Sequence, residues 1–370
     1  MCQNAPPMAK SRERAGFIQQ RLLNQGIAVP THTRAAKVVE WLGAVQAQEY
    51  QPAKWALGLR MRDATDEAVE RAVEDGEILR THVMRPTWHF VAAADLRWMQ
   101  ALTGPHVQRA MRNYQRQLGM DAAMLKRATA LFERALRDRT YLTRPELAER
   151  LRRAGMDLPG IRMAHAAMHA ELEAVICSGP RRGKLTTYGL VAERAPEQRD
   201  LAGDEALAEL TRRFFRSHGP ATIRDFVWWS GLATSAARRG LDIIRAKRHD
   251  LDGCTYYRTG AASTVRRASA AAVLLLPIYD EYLVAYRDRM LVPHGPSKIA
   301  AVPGHTVTFQ HALVIDGCVA GTWRMSRAAR ALAIAVTPLR RLTATEHRGI
   351  VAAGQRYERF LRFPVAIKFS

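Results

Sequence analysis

Cysteine is scarce in this sequence, and no metal-binding spacing is present. The 370 residues include only 4 cysteines, beside 12 histidines. No Cys-x-x-Cys pair and no His-Glu-x-x-His run occurs, so two common zinc signatures are missing. We therefore expect no metal site, no bound cofactor and no disulfide framework, in a chain whose thiols stay reduced. The cysteines are Cys2, Cys177, Cys254 and Cys318.

Long hydrophobic runs are also missing. A membrane-spanning helix needs about 20 consecutive apolar residues. The longest apolar stretch, near 270–279, is much shorter and ends at Asp280 and Glu281. The N-terminal stretch MCQNAPPMAKSRERAG is charged and has no apolar centre, unlike a secretory signal. We expect a cytoplasmic protein that does not enter a membrane and that associates with the nucleoid if its partner is DNA.

Acidic residues are few compared with basic ones. The chain has 35 Asp and Glu against 56 Lys and Arg, a formal net charge of +21 and a pI near 10.6. Such an excess indicates a polyanionic partner, and nucleic acid is the first candidate. The alternative is that arginine only keeps the chain soluble. The basic residues are spread along the chain, which favours a folded positive surface over a basic tail.

A similar order of local signals occurs three times along the chain. Each copy has helical patterns followed by a short hairpin-like segment, which is typical of a winged helix-turn-helix. The second and third copies begin a helix with capping boxes, Thr143-Arg-Pro-Glu146 and Thr222-Ile-Arg-Asp225. The first copy contains a strand-like run at 80–92. The alternative is three unrelated helical hairpins in an all-α protein.

The C-terminal part has a different character. From about residue 266 it is rich in β-branched and aromatic residues, and Asp316-Gly317 signals a hairpin. We expect an α+β chain, mainly helical, of three tandem winged-helix units followed by a small C-terminal β-barrel with a terminal helix. The predicted boundaries are 10–125, 126–200 and 201–265 for the winged-helix units, and 266–370 for the barrel.

Three segments of the sequence resemble one known family. They are LGAVQAQE (42–49), RPTWHFVAAADLRWM (85–99), and YDEYLVAYRDR (279–289) followed by IDGCVAGTWR (315–324). Together they are similar to the AlkZ and YcaQ-like DNA glycosylases, bacterial tandem winged-helix proteins, over about residues 12–362. The Gln-x-Gln motif of the AlkZ-type branch is matched by Gln46 and Gln48. The YcaQ-type branch commonly has Asp in the second position.

The resemblance implies an activity and a shape. It implies a monomer, C-shaped around a channel for double-stranded DNA, that excises bulky N7-alkylated purines and sometimes unhooks interstrand crosslinks. Such enzymes often protect producers of DNA-alkylating antibiotics. The catalytic residues that it implies are Gln46 and Gln48. A winged-helix transcriptional regulator without catalysis and an architectural DNA-binding protein are the competing hypotheses.

Two neutral amides suit this chemistry if they face one point. An N7-alkylated guanine is a cation that leaves as a neutral base, so no general acid is needed, and two amide oxygens could hold the attacking water near C1′. Residues i and i+2 lie about 200° apart on a helix but on one side of an extended segment. Gly43 is suited to end the preceding helix, so we predict that residues 44–48 are not helical. The alternative is that Gln46 and Gln48 are solvated on a continuing helix.

Five basic residues are candidates for contact with DNA. Two share one face of the strand-like run, where they could line the channel beside the glutamines. Three lie in the basic turn of the second hairpin, where they could contact phosphates without reading sequence; a solvated loop is the alternative. The five are Arg85, His89, Arg181, Arg182 and Lys184.

Other polar and aromatic groups are interpreted as structural. A carboxylate such as Glu49 or Asp280 could support an oxocarbenium ion electrostatically, yet we interpret the first as a surface residue and the second as an ion-pair partner. We predict pairing of Asp280 and Glu281 with Arg287 or Arg289, and burial of Trp228 and Trp229 in a core.

Overall fold

The computed structural model describes residues 7–260, 272–287, 310–327 and 330–369. Helices predominate in this mixed α/β chain, and its last part forms a curled sheet. In these described ranges, no helix is both long and apolar enough to cross a bilayer.

The first run of elements surrounds a three-stranded sheet. Its elements are α1 (Pro7–Asn24), α2 (Ala35–Leu42), β1 (Val45–Gln46), α3 (Tyr50–Gly58), α4 (Asp66–Glu74), β2 (Ile78–Val83) and β3 (Arg85–Ala92). The sheet order is β1-β3-β2, and both pairs are antiparallel. The single strand predicted at 80–92 is therefore a tight hairpin. It turns at Met84, whose φ is +63°, and this turn separates the buried strand β2 from the partly exposed start of β3.

The second run repeats this order. After a 3-10 turn (Ala93–Asp95) and the long helix α5 (Leu96–Gln117), the elements are α6 (Ala122–Ala135), β4 (Leu142–Thr143), α7 (Arg144–Arg153), α8 (Ile161–Leu172), β5 (Ile176–Ser178) and β6 (Thr187–Leu190). The sheet order is β4-β6-β5. The predicted capping box is confirmed, because Thr143 and Glu146 each bond the other's backbone N–H.

The third run has the same order with a shorter sheet. Its elements are α9 (Val191–Arg194), α10 (Gly203–Ser217), α11 (Ile223–Ser230), α12 (Thr234–Ile243), β7 (Lys247–Leu251) and β8 (Cys254–Arg258). Ala221 forms a single antiparallel bridge to Tyr257 of β8, in the place that β1 and β4 take in the first two sheets. The predicted capping box of Thr222 and Asp225 is also confirmed.

The described C-terminal strands form one five-stranded sheet. Its elements are β9 (Val273–Leu276), α13 (Glu281–Val284), β10 (His311–Ile315), β11 (Cys318–Arg327), β12 (Leu332–Pro338), α14 (Ala344–Leu361) and β13 (Val365–Phe369). The order is β13-β12-β11-β10-β9, and the predicted Asp316-Gly317 hairpin joins β10 to β11. Closure into the predicted barrel stays a prediction, because 288–309 lie outside the described residues.

The hydrophobic cores join parts of the chain that are distant in sequence. One core contains both the first run and the C-terminal sheet. Trp55 of α3 shows this directly: its indole N–H donates to the Leu275 carbonyl at 2.8 Å, and its ring packs on Tyr357 at 4.6 Å. A second core joins β2, β3 and α5 to the third run. The first run therefore lies between the C-terminal sheet and the third run, and the glutamine motif lies where these parts meet.

Asp280 has a buried partner that the sequence did not predict. Both carboxylate oxygens of Asp280 accept hydrogen bonds from Arg60 at 2.8 Å. The two side chains are 0% and 1% exposed. The predicted pairing of Asp280 with Arg287 is therefore wrong, and Arg289 lies outside the described residues. Arg60 is 220 residues away along the chain, so local spacing carried no signal for this pair.

Candidate active site

The glutamine motif is extended, as predicted. Gly43, at φ +89°, ends α2 with its N–H bonded to Val39 O. Gln46 then pairs with His89 across the antiparallel strands β1 and β3. The ladder continues at Ala47, whose N–H donates to the Trp88 carbonyl at 2.7 Å. Residues 44–48 are therefore outside any helix, as predicted, with a bend at Gln48 just after the strand.

Gln46 is held at both ends by charged groups. Its side-chain oxygen accepts a hydrogen bond from Arg85 Nη2 at 2.9 Å. Its backbone N–H points away from the sheet and donates to Glu281 Oε1 at 2.7 Å. The residue is only 7% exposed, so its rotamer is restricted. An amide oxygen can accept two hydrogen bonds, which leaves Gln46 one acceptor position for a further donor.

Gln48 is fixed mainly through its backbone. Its side-chain oxygen accepts a hydrogen bond from the backbone N–H of Trp88 at 3.3 Å. Its carbonyl accepts from Arg80 Nη2 at 3.1 Å, and Arg80 Nε donates to the neighbouring Ala47 carbonyl at 2.8 Å. Gln48 is half-buried. Arg80 therefore orders the backbone of the motif, while the second acceptor position of the Gln48 oxygen stays available.

His89 acts on the motif through Arg85. Its Nδ1 lies 2.9 Å from the Thr87 carbonyl and its Nε2 lies 3.4 Å from Arg85 Nη2. Burial and the positive charge of Arg85 lower the pKa of His89 to about 3, so the imidazole is neutral, donates from Nδ1 and accepts at Nε2. The ring is fully buried. The prediction that His89 contacts DNA is therefore corrected. The buried His89 ring instead contacts Arg85 on the side away from the cleft and helps to fix its position.

Glu281 is a buried carboxylate next to the motif. Besides the Gln46 N–H, it accepts a hydrogen bond from the Trp229 indole at 3.0 Å, and His218 Nε2 lies 3.5 Å away. Burial by itself raises the pKa of Glu281, but His218, the Arg85 charge and the Gln46 N–H together lower it to about 2. The predicted pairing of Glu281 with Arg287 is wrong, and Arg85 is the arginine whose charge acts on it.

An open cleft of about 730 Å³ lies in front of Gln46. It is formed by three parts of the chain, and among its described lining residues there are three arginines and no carboxylate. The first run contributes Gln46, Arg85, Pro86 and Thr87; helices α11 and α12 with their connection contribute Ile223, Arg224, Val227, Trp228, Gly231 and Thr234; the C-terminal part contributes Tyr279, Val284 and Arg287.

The two neighbouring tryptophans have different environments. Trp229 is fully buried, which confirms the prediction of a core residue. Trp228 is 39% exposed and lines the cleft, so the same prediction is wrong for it. Helical spacing did not distinguish the two residues, because the cleft wall is made by packing α11 against a distant segment. Glu49 is exposed, as predicted.

The basic residues of the second hairpin lie away from the cleft lining. Arg182 forms an ion pair with Glu146 at 2.7 Å. The Arg181 side chain is 14% exposed and lies over the Tyr50 ring at 4.4 Å. Lys184 is exposed in the turn between β5 and β6. Of the five predicted DNA contacts, the structure brings only Arg85 to the cleft beside Gln46.

Four residues that shape the site were missed by sequence reasoning. Arg224 and Arg287 bring positive charge, Trp228 brings an aromatic face and Glu281 anchors the motif. The carboxylate is 235 residues from Gln46 along the chain. None of them belongs to a local motif with the glutamines, so only the fold reveals their proximity.

Comparisons with known proteins identify the family of this chain. The chain is 25% identical over 328 residues to a Streptomyces sahachiroi protein named "Interstrand DNA cross-link repair glycosylase", covering 82% of this chain and 86% of that protein. Its fold matches the solved structure of "Streptomyces sahachiroi DNA glycosylase AlkZ" with a TM-score of 0.76 and 24% identity, over 96% of this chain and 99% of that one. The family "DNA glycosylase AlkZ-like" matches residues 39–360. This chain therefore belongs to the AlkZ-like DNA glycosylases, enzymes that hydrolyse N-glycosidic bonds in DNA.

Proposed function

We propose that this glycosylase is monofunctional and releases N7-alkylated purines by means of a water molecule held by Gln46 and Gln48. The observation that carries the proposal is the extended motif, in which Gln46 faces the cleft from a strand and each amide oxygen keeps one acceptor position. No carboxylate is present among the described lining residues of the cleft. Among those residues, no carboxylate competes with the glutamines as a general base.

The chemistry of the leaving group explains why two amides are enough. An N7-alkylated purine is positively charged and departs as a neutral base, so no proton has to be supplied. Positive charge then moves to the sugar, and a weakly nucleophilic water completes the reaction if it is already positioned near C1′. Amide oxygens accept hydrogen bonds without titrating, so we expect the motif to work over a wide pH range.

The substrate range is proposed from the shape of the cleft and from the relative. The cleft is open and is formed by three parts of the chain, so a bulky substituent need not enter a closed pocket. The similar protein from Streptomyces sahachiroi is named for interstrand cross-link repair. We propose that this chain likewise accepts bulky N7 adducts and unhooks crosslinks.

We further propose that the three similar runs are winged-helix units that hold double-stranded DNA, with boundaries near 10–125, 126–200 and 201–265. Their shared element order and sheet order support this proposal. The exposed Lys184, at the tip of the second hairpin, is the best placed of the hairpin residues to contact a phosphate. Arg181 and Arg182 would have to exchange their present carboxylate contacts for phosphates. The protein would act as a monomer.

The test is release of N7-methylguanine from a duplex, with abasic sites revealed by alkali. Gln46→Ala and Gln48→Ala should each lower the single-turnover rate by about 100-fold or more while DNA binding is retained. Gln51→Ala is the matched control, because Gln51 is an exposed glutamine of the same stretch. Borohydride should trap no covalent adduct, because the motif contains no lysine nucleophile. Wild-type rates in both motif variants would refute the proposed mechanism.

A further inference from the structure

Trp228 presents an indole to the cleft in a fixed orientation. It is 39% exposed, whereas the neighbouring Trp229 is fully buried. The Trp228 indole N–H donates to the Val284 carbonyl at 2.9 Å. This bond ties helix α11 to α13 and restricts rotation of the ring. The exposed indole is therefore pre-oriented in the same cleft as Gln46.

Two arginines lie over this indole, but only at long range. The guanidinium carbons of Arg85 and Arg287 lie 5.9 Å and 5.5 Å from its ring, near the limit of about 6 Å for such contacts. Elsewhere in the protein, arginine guanidiniums lie closer to tryptophan rings. Arg80 lies 4.3 Å from the Trp88 ring and Arg216 lies 4.2 Å from the Trp41 ring. At Trp228 both guanidiniums stay farther from the ring, so a flat cation that stacks on it takes the closer position by displacing one of them.

The charges around the cleft make this face important for recognition. Arg85, Arg224 and Arg287 line the cleft, and no carboxylate does so among the described residues. Arginines attract the phosphates of DNA, but they oppose a cationic base that approaches the same space. An aromatic face attracts a cation through its quadrupole, and tryptophan does so most strongly. An alkylated purine is both flat and positively charged, so it suits this surface in shape and charge.

We propose that Trp228 is the residue that recognises the positive charge of the alkylated purine, so that the cleft binds the cationic lesion in preference to neutral guanine. This inference rests on the proposed function, because it takes an N7-alkylated purine as the substrate. The Trp228 face supports the lesion, Arg224 and Arg287 bind the flanking phosphates, and the glutamine motif, held by Arg85, holds the water.

This role predicts an effect on binding and not on the chemical step. The contact is strongest while the purine carries its charge and weakens as that charge moves to the sugar. An interaction that favours the ground state raises affinity without raising the rate constant. The released base is neutral, so the same face holds the product less tightly. Loss of the indole should therefore weaken substrate binding and leave the single-turnover rate at saturating enzyme unchanged or slightly raised.

The experiment compares two duplexes that resist hydrolysis. One contains 2′-fluoroarabino-N7-methylguanine, which is cationic, and the other contains neutral 2′-fluoroarabinoguanine at the same position. The wild-type protein should bind the cationic duplex about tenfold more tightly. Trp228→Leu should reduce this ratio to roughly one, and Trp228→Phe, which keeps a weaker aromatic face, should give an intermediate ratio.

Arg224→Gln is the matched control on the same helix. It should weaken binding of both duplexes and lower the salt dependence of binding by about one phosphate contact, and the ratio should not fall, because a positive charge that opposes the cationic base is lost. A wild-type ratio near one, or an unchanged ratio in Trp228→Leu, overturns the proposal. A large fall in the single-turnover rate with an unchanged ratio also overturns it, because Trp228 would then act on the chemistry.

Failure of the proposed function would give a different result from failure of this inference. It would appear as no release of N7-methylguanine from an ordinary duplex by the wild-type protein. The binding ratio is measured on duplexes that cannot be cleaved, so it stays interpretable in that case. A tenfold preference that depends on Trp228, without any release, would support the recognition role and refute hydrolysis of this lesion.

Discussion

Gly231 sits where two parts of the cleft wall meet, and no side chain fits there. It ends α11 at φ +70°, and a Cβ at this position would lie 2.1 Å from the Met84 carbonyl oxygen. Met84 forms the turn between β2 and β3, immediately before Arg85. Nonbonded carbon–oxygen contacts need roughly 3.3 Å. Gly231→Ala must therefore displace one wall of the cleft from the other by about 1 Å.

Two free-energy costs, backbone strain and steric overlap, add in Gly231→Ala, and the control Gly119→Ala separates them. Gly119 also has a positive φ, +66°, but a Cβ there would meet nothing within 4 Å. Gly119→Ala should therefore cost only the backbone strain, about 1 kcal/mol. Gly231→Ala adds the overlap with Met84, for which overpacking costs about 1–3 kcal/mol more. The difference in unfolding free energy between the two variants, measured in urea, gives the overlap term.

The displacement should also be visible in activity. Arg85 follows Met84 directly and holds the Gln46 side chain, so a shift of the turn misplaces the proposed water-binding oxygen. A misplacement of about 1 Å can lower a rate by about 100-fold. We expect Gly231→Ala to lose most single-turnover release of N7-methylguanine and Gly119→Ala to retain it. Equal stability and equal rates in the two variants would refute this reasoning.

Two further predictions concern buried charge. Asp280→Asn should destabilise the protein by about 3–5 kcal/mol, because it leaves Arg60 buried without its counter-charge. The control Asp252→Asn, in a partly exposed ion pair, should cost less than about 1 kcal/mol. Equal unfolding midpoints of the two variants would contradict this contrast. His89 has a pKa near 3 in the folded protein against about 6.5 when unfolded. Below pH 6.5 the unfolded state therefore binds the extra proton, and stability falls as pH decreases toward 3, by up to about 1.4 kcal/mol per unit. His89→Gln should flatten the decline in Tm between pH 7 and 4.5, and an unchanged decline would show that His89 does not cause it.

Local signals were enough for several elements and for the geometry of the motif. Capping boxes depend on residues three positions apart, so Thr143 and Thr222 could be assigned as helix starts from sequence. Gly43 could be assigned as a helix end for the same reason. The two-residue spacing of the glutamines then required an extended segment for a common face. The structure confirms the two helix starts, the helix end at Gly43 and the non-helical backbone of 44–48; the common face of the glutamines stays a prediction.

The surroundings of the motif depend on the packing of distant segments. Glu281 reaches the Gln46 N–H because the first run packs between the C-terminal sheet and the third run. The same packing buries Trp229 and exposes Trp228, although the two are adjacent on one helix. It also places His89 behind Arg85 instead of in the cleft. Hydrophobic periodicity shows that a residue lies on an apolar face, but not which partner covers that face. Only the tertiary structure decides which partner covers the face. Here it determines the positive charge, the Trp228 surface and the buried Glu281 around two glutamines whose backbone could be predicted from local sequence.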